Sequence, residues 1–212
     1  TAQKREQRLI DVPISISVVD EQVLKNASIK SISDLSYLVP NLSVTESRSG
    51  NQNYFIRGVG NGGGNVNAAL VGVYLDDMPL SFGRSLTVDL QSIDIARVEV
   101  LKGPQGTLYG AGSVGGTIRY VSNKPSFEGV EGSIGLSFSD TAGGDTSNEV
   151  TGVVNLPVID DVLAFRVAAT YNDRGGWIDK INDPGGEENF NGTELSHIRL
   201  RGLWQVSDDF TA

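Results

Sequence analysis

Three glycines and a pair of carboxylates are the first residues of this chain whose spacing could support chemistry. Gly110, Gly112 and Gly115 satisfy GxGxxG, the turn that sets a pyrophosphate on a helix N-terminus, and Glu128 or Glu131 stands where such a fold wants an acid for the ribose. The match fails immediately downstream: GTIRYVSN (116–123) is rich in β-formers and too short to be the required helix. Gly106 and Gly110 are not followed by GK(S/T), so a phosphate-binding P-loop is excluded as well. Asp76 and Asp77 could share a proton or hold a hard cation, but they end a strand-like run and precede Met78-Pro79, which reads as a turn. With no cysteine and one histidine, His197, the chain has no thiol nucleophile, no zinc thiolate site and no two-histidine metal centre. The charges left to explain are Arg57 in YFIRG and Arg97, Glu99 and Lys102 in RVEVLKG, all embedded in apolar runs where a charge needs a partner.

The overall balance narrows the classes further. In 212 residues, 17 basic side chains face 26 acidic ones and no Lys/Arg cluster interrupts the deficit, which argues against a nucleic-acid partner. No stretch approaches the roughly 18 apolar residues of a membrane helix, and TAQKREQ carries no hydrophobic signal segment. A membrane-embedded part would have to be built from strands.

Residues 1–125 read as a small α+β globule. Ile14, Ile16 and Val18 alternate with Ser15 and Ser17, a period of two that suits a strand with one buried face. Asp20 caps a short helix, DEQVLKNA, and Ser31 with Asp34 forms a capping pattern for a second one that must end before Pro40. Leu35, Leu38 and Leu42 are expected to face the core. Strands follow near 42–46, 53–58, 71–75 and 96–101, separated by Gly, Asn and Asp runs. Two loops, 60–69 and 80–87, are long and polar enough to be functional.

From residue 131 the pattern changes to segments of alternating character: EGSIGLSFS, EVTGVVNL, VLAFRVAATYN and LSHIRLRGLWQV, each the length of a tilted membrane-spanning strand. An arginine on a lipid face costs roughly 2–4 kcal/mol at the midplane, so Arg166, Arg199 and Arg201 belong on the other face. That choice sends Ile134, Leu136, Phe138, Val150, Val154, Leu156, Leu163, Phe165, Val167, Tyr171, Ile198, Leu200, Trp204 and Val206 outward, and leaves Glu149, Thr151 and Asn155 inside. His197 shares the inward parity and reads as a lumen-facing polar residue, with a pH-responsive or metal-gating role as the alternative. The short connection PVIDDV (157–162) and the longer ones at 139–148 and 173–194 fit short periplasmic turns and long outer loops. Four strands cannot close, and open edges in hydrocarbon leave unpaired backbone groups, so the chain is expected to be a fragment.

Five segments stand in an order that carries a resemblance: DVPISISVVDEQVLK (11–25), ISDLSYLVPNLSV (32–44), YFIRGVG (54–60), VGVYLDDMPL (71–80) and RVEVLKGPQGTLYGAGSVGGTIRYVSN (97–123). Together they resemble the plug domain of TonB-dependent outer-membrane receptors. The resemblance implies a plug at 1–125 and the first strands of a 22-stranded transmembrane β-barrel at 126–212; the family's TonB-contacting box stands just upstream of a TA(Q/R)K-like segment inside which this chain begins at Thr1 and Ala2, so the box is expected to be missing from it. It implies a transporter rather than an enzyme, with no cofactor. The expected activity is TonB-dependent import of a scarce bulky nutrient, a ferric siderophore above all, across the bacterial outer membrane, with outer-membrane lipid around it and the TonB complex as periplasmic partner. A sensing receptor that signals through an upstream domain, and an importer of cobalamin or carbohydrate, are the alternatives. Asn61, Asn65, Asn67, Phe82 and Arg84 are the substrate-contact candidates, against the alternative of a solvated loop tip. Arg57, Arg97, Glu99 and Lys102 are the plug–barrel contact candidates: either they pair within the plug, or Arg57 and one of Arg97 or Lys102 meet acids on the barrel wall. The glycines of 103–116 are expected to let the turn press against that wall.

Overall fold

The computed structural model describes residues 14–48, 51–60, 70–82, 86–87, 92–110, 112–180, 186, 188–207 and 210–211. The chain divides into two compact units, Thr1–Asn123 and Lys124–Ala212.

The first unit opens with β1 (Ser15–Asp20), α1 (Glu21–Asn26), α2 (Ile32–Leu35), β2 (Leu42–Arg48), β3 (Asn51–Ile56) and β4 (Val59–Gly60). It continues with β5 (Val71–Leu75), β6 (Met78–Pro79), β7 (Ser81–Phe82), β8 (Leu86–Thr87), β9 (Ile95–Lys102), α3 (Gly106–Tyr109) and β10 (Gly116–Ser122). The starts of α1 and α2 follow from their capping residues. Asp20 accepts a hydrogen bond from the Val23 amide at 2.8 Å, and Ser31 and Asp34 close a capping box. Leu35 and Leu42 are buried, but Leu38 is 38% exposed, contrary to expectation. The reason is that α2 stops after one turn, so the 3.6-residue period does not reach Leu38; Val39, whose amide bonds Leu35 O at 2.9 Å, takes the buried place.

The main sheet has the order β1-β9-β10-β5-β6, with β9 antiparallel to β1 and β10, and β10 parallel to β5. Alternation gives it two unlike faces. Val71, Val73, Val98, Val100, Ile118 and Tyr120 share one face and enter the main core with Ile32, Leu35, Tyr54 and Ile56. The other face carries Ile16, Glu99, Leu101, Thr117, Arg119 and Tyr74, set side by side by the register Ile16↔Leu101↔Thr117 and Glu99↔Arg119↔Tyr74.

The second unit is an antiparallel meander: β11 (Glu131–Asp140), β12 (Thr146–Ile159), β13 (Leu163–Arg174), β14 (Thr193–Ser207) and a short β15 (Phe210–Thr211). The strands run further than the hydropathy pattern alone marks, because polar pairs such as Asp140↔Thr146 and Ser139↔Ser147 keep the ladder going past the last apolar residue. The first long connection therefore shrinks to 141–145, while 175–192 stays long and 160–162 is a tight turn. One parity exposes large apolar side chains, Ile134, Leu136, Phe138, Ile198, Leu200 and Trp204; β11 is exposed on its other parity as well. The opposite parity of β13 is closed, with Ala164, Ala168, Thr170 and Asn172 buried. Arg166, Arg199 and Arg201 lie on that second parity, Arg166 directly opposite Arg201.

Candidate functional site

The charges embedded in the first unit converge on one face of the main sheet. Glu99 is 2% exposed, and its carboxylate lies 2.7 Å from Arg97 Nε and 3.3 Å from Arg119 Nη1. Arg119 also reaches Asp77 at 3.5 Å and donates from Nε to Asp76 O at 2.8 Å. A buried carboxylate is tolerable only when charge and hydrogen bonds compensate its lost hydration, and two guanidinium groups supply both. Arg97 and Glu99 are thus engaged with each other inside this unit. Arg119 is the member that sequence reasoning missed, although the signal was present: a lone charge in the apolar strand GTIRYVS, the same feature that singled out Arg97.

Arg57 and Lys102 behave differently. Arg57 sits in the turn between β3 and β4 at φ +54°, exposed and not inside a strand as expected, because the YFI ladder ends at Ile56. Its amide is held by Asn41 O at 2.9 Å, which fixes the turn. Lys102 closes β9, where burial first and the Arg57 charge second hold its ammonium below the ordinary lysine value. Among the described residues neither cation forms an ion pair. The geometry therefore separates the four candidates into a satisfied pair and two neighbouring cations.

The glycine run folds as a strap over the same sheet face. Gln105 N donates to Ser113 O at 2.8 Å and Gly103 N to Gly115 O at 3.0 Å, pinning the two ends together. Between them α3 lays Tyr109 edge-on against Tyr74, ring centroids 5.1 Å apart, and the Tyr74 hydroxyl donates to Tyr109 O. Burial pushes the Tyr109 phenol above the ordinary tyrosine value. Within the unit, two of these glycines stand in close approach to their neighbours. A Cβ at Gly115 would stand 2.8 Å from Val59 O, and one at Gly116 (φ +150°) would strike Leu101 O and come within 2.7 Å of Ile56 Cδ1. Gly103 and Gly110 stand at positive φ, a conformation that favours glycine, with nothing within 4 Å.

The decoy motifs resolve on the same strands. Gly110 to Gly115 lead into strand β10, so no helix N-terminus faces a phosphate there. Asp76, at φ +53°, forms the β5–β6 turn and accepts from Ser122 N at 3.0 Å and Ser122 Oγ at 2.8 Å, which commits its carboxylate to the fold. His197 lies opposite Thr170 on the parity of the three arginines. The substrate-contact candidates Asn61, Asn65, Asn67 and Arg84 lie outside the described residues, and of Phe82 only the backbone, in β7, is described.

Comparison with known proteins places these features. Residues 8–117 match the family described as TonB-dependent Receptor Plug Domain. The chain is 32% identical over 158 residues to the vitamin B12 transporter BtuB of Vibrio vulnificus, covering 70% of this chain and 23% of that protein. Among solved structures, the ferric yersiniabactin uptake receptor FyuA from Yersinia pestis is similar at 26% identity and TM-score 0.76, over 92% of this chain and 29% of that one. The pyoverdine outer membrane receptor FpvA from Pseudomonas aeruginosa, bound to pyoverdine, is similar at 25% identity and TM-score 0.73, over 94% of this chain and 26% of that one. The chain thus spans less than a third of the length of each of these proteins.

Proposed function

This chain belongs to the TonB-dependent receptor family, and on that footing we propose that it works in the active import of a ferric siderophore across the bacterial outer membrane. The observation that carries the reading is the succession, in one chain, of a plug-family unit and a meander that exposes a row of large apolar side chains on one parity, Ile134, Leu136 and Phe138 on β11 and Ile198, Leu200 and Trp204 on β14. A water-facing sheet would not expose that set, and a lipid-facing one must. The likeness to the yersiniabactin and pyoverdine receptors supports the siderophore as ligand class. In this reading residues 1–125 are the plug, 126–212 begin the wall of a 22-stranded barrel, and the TonB complex supplies the force that remodels the plug.

Arg57 and Lys102 are then the cations that meet acids of the barrel wall, since Arg97 and Glu99 are occupied with each other and with Arg119. Two like charges held close together, one with its pKa depressed, are stabilised once a carboxylate comes between them. Asn61, Asn65, Asn67, Phe82 and Arg84 are proposed to touch the ligand. The test is iron-limited growth of a strain carrying the complete gene as its sole receptor. Growth on a ferric siderophore that vanishes when TonB is deleted is the expected result, and uptake that persists without TonB contradicts the mechanism.

A second reading rests on one observation, the 32% identity to a vitamin B12 transporter. Cobalamin-dependent growth of the same strain, with no ferric siderophore used, would replace the ligand while keeping the mechanism.

A further inference from the structure

Asn155 is fully buried in the second unit, and its side chain is spent on one short stretch of backbone. Its Oδ1 accepts from Ser126 N at 2.9 Å, while its Nδ2 donates to Ser126 O at 2.9 Å and to Gly129 O at 2.8 Å. Both faces of the Ser126 residue are therefore gripped by a single amide, as a neighbouring strand would grip it, and both N–H donors of that amide are used. Ser126 Oγ accepts from Glu128 N at 3.1 Å and closes the turn that the amide holds. The gripped stretch lies between the end of β10 at Ser122 and the start of β11 at Glu131, whose ladder partner is Asn155 itself.

That placement has a mechanical meaning. A pull arriving along the chain from the first unit reaches Ser126 before it reaches the Glu131↔Asn155 pair. Without the grip it would open the β11–β12 ladder from its end, one pair at a time, each bond bearing the load alone. The three bonds of Asn155 share the load and stand ahead of the ladder. We propose that Asn155 is a stop: it fastens residues 126–129 to β12, so that displacement of the first unit ends there and does not peel β11. It is a positioning residue and touches no ligand. The proposal rests on the reading of the first unit as a plug that is pulled.

The experiment is hydrogen exchange on the complete receptor in outer-membrane vesicles, wild type against Asn155→Leu and Asn155→Asp, with and without energised TonB. Without load, the Ser126 amide in Asn155→Leu is expected to exchange about tenfold faster, with the Val153 and Ala168 amides of the β12–β13 ladder unchanged. Asn155→Asp keeps the acceptor for Ser126 N and loses both donors, so Ser126 stays protected while the grip on Gly129 is lost. Under load, both variants are expected to lose protection over 131–136 while the wild type keeps it. Equal Ser126 exchange in wild type and Asn155→Leu overturns the clamp, and unchanged β11 protection under load in both variants overturns the stop. If Asn155→Leu fails to fold, Asn155→Asp decides alone by its loaded protection. A wild-type receptor without TonB-dependent uptake removes the plug reading and the stop with it, whereas the unloaded comparison still decides the clamp.

Discussion

The two units place their apolar and charged side chains in opposite ways. In the first, alternation along β9 and β10 sends Val98, Val100 and Ile118 into a core and Glu99 and Arg119 to a second face that is also covered, where the ions compensate one another. In the second, the same alternation leaves Ile134, Leu136, Phe138, Ile198 and Leu200 open and keeps Arg166, Arg199 and Arg201 on the closed parity. Period two is common to both, so it cannot be what sets inside and outside. In the proposed reading the medium beyond the exposed face sets it: water penalises open apolar surface by about 25 cal/mol per Å², and lipid does not.

Substitutions and titrations in both units press on this contrast. The largest effect is expected from Glu99→Ala, which takes the buried carboxylate from two guanidinium groups and leaves the nearly buried Arg119 to the more exposed Asp77 and the Asp76 carbonyl; it should lower the stability of the first unit by about 3–5 kcal/mol in chemical denaturation and leave the second unit unaffected. Next comes Leu200→Arg on the open parity, expected to cost roughly 2–4 kcal/mol of folding free energy into lipid vesicles. Ser137→Arg on the other parity should cost far less, and equal costs would break the assignment of faces.

Within the glycine run, Gly116→Ala should destabilise by about 1–3 kcal/mol through contact with Leu101 and Ile56. Gly103→Ala adds only the strain of φ +103° in open space, about 1 kcal/mol. Paired denaturation curves decide whether the close approach or the conformation carries the run. The smallest effect is alkaline. The Tyr109 phenol is raised in the fold, so the unfolded chain loses its proton first; the stability it contributes is complete below the ordinary tyrosine value near 10 and is lost as pH rises from there through the folded value. Tyr109→Phe should flatten that slope. Lys102 has the opposite sign, because its depressed pKa makes stability rise with pH below the ordinary lysine value of 10.5. In the complete receptor, a Lys102 that titrates at or above the ordinary value would report the wall carboxylate proposed beside it.

Much of this was legible in the residues. Asp20, Ser31 and Asp34 announced two helix starts because caps are local hydrogen bonds between near neighbours in sequence. The four long strands and their parity were legible because one arginine on the wrong face costs more than any other choice along the strand. Leu38 was misread because nothing local marks that α2 stops after one turn, and Arg57 because nothing local marks where the β3 ladder ends. The family resemblance fixed the order of segments and left their partners open.

What the chain determined alone was therefore its periodicities, its caps and the residues too costly to misplace, all of which depend on neighbours a few positions away. The pairing of Glu99 with Arg119 inside the first unit, the grip of Asn155 on Ser126, and the need for glycine at 116 but not for space at 103 were decided by tertiary structure. Each depends on segments far apart in sequence being brought together, where register selects which groups meet.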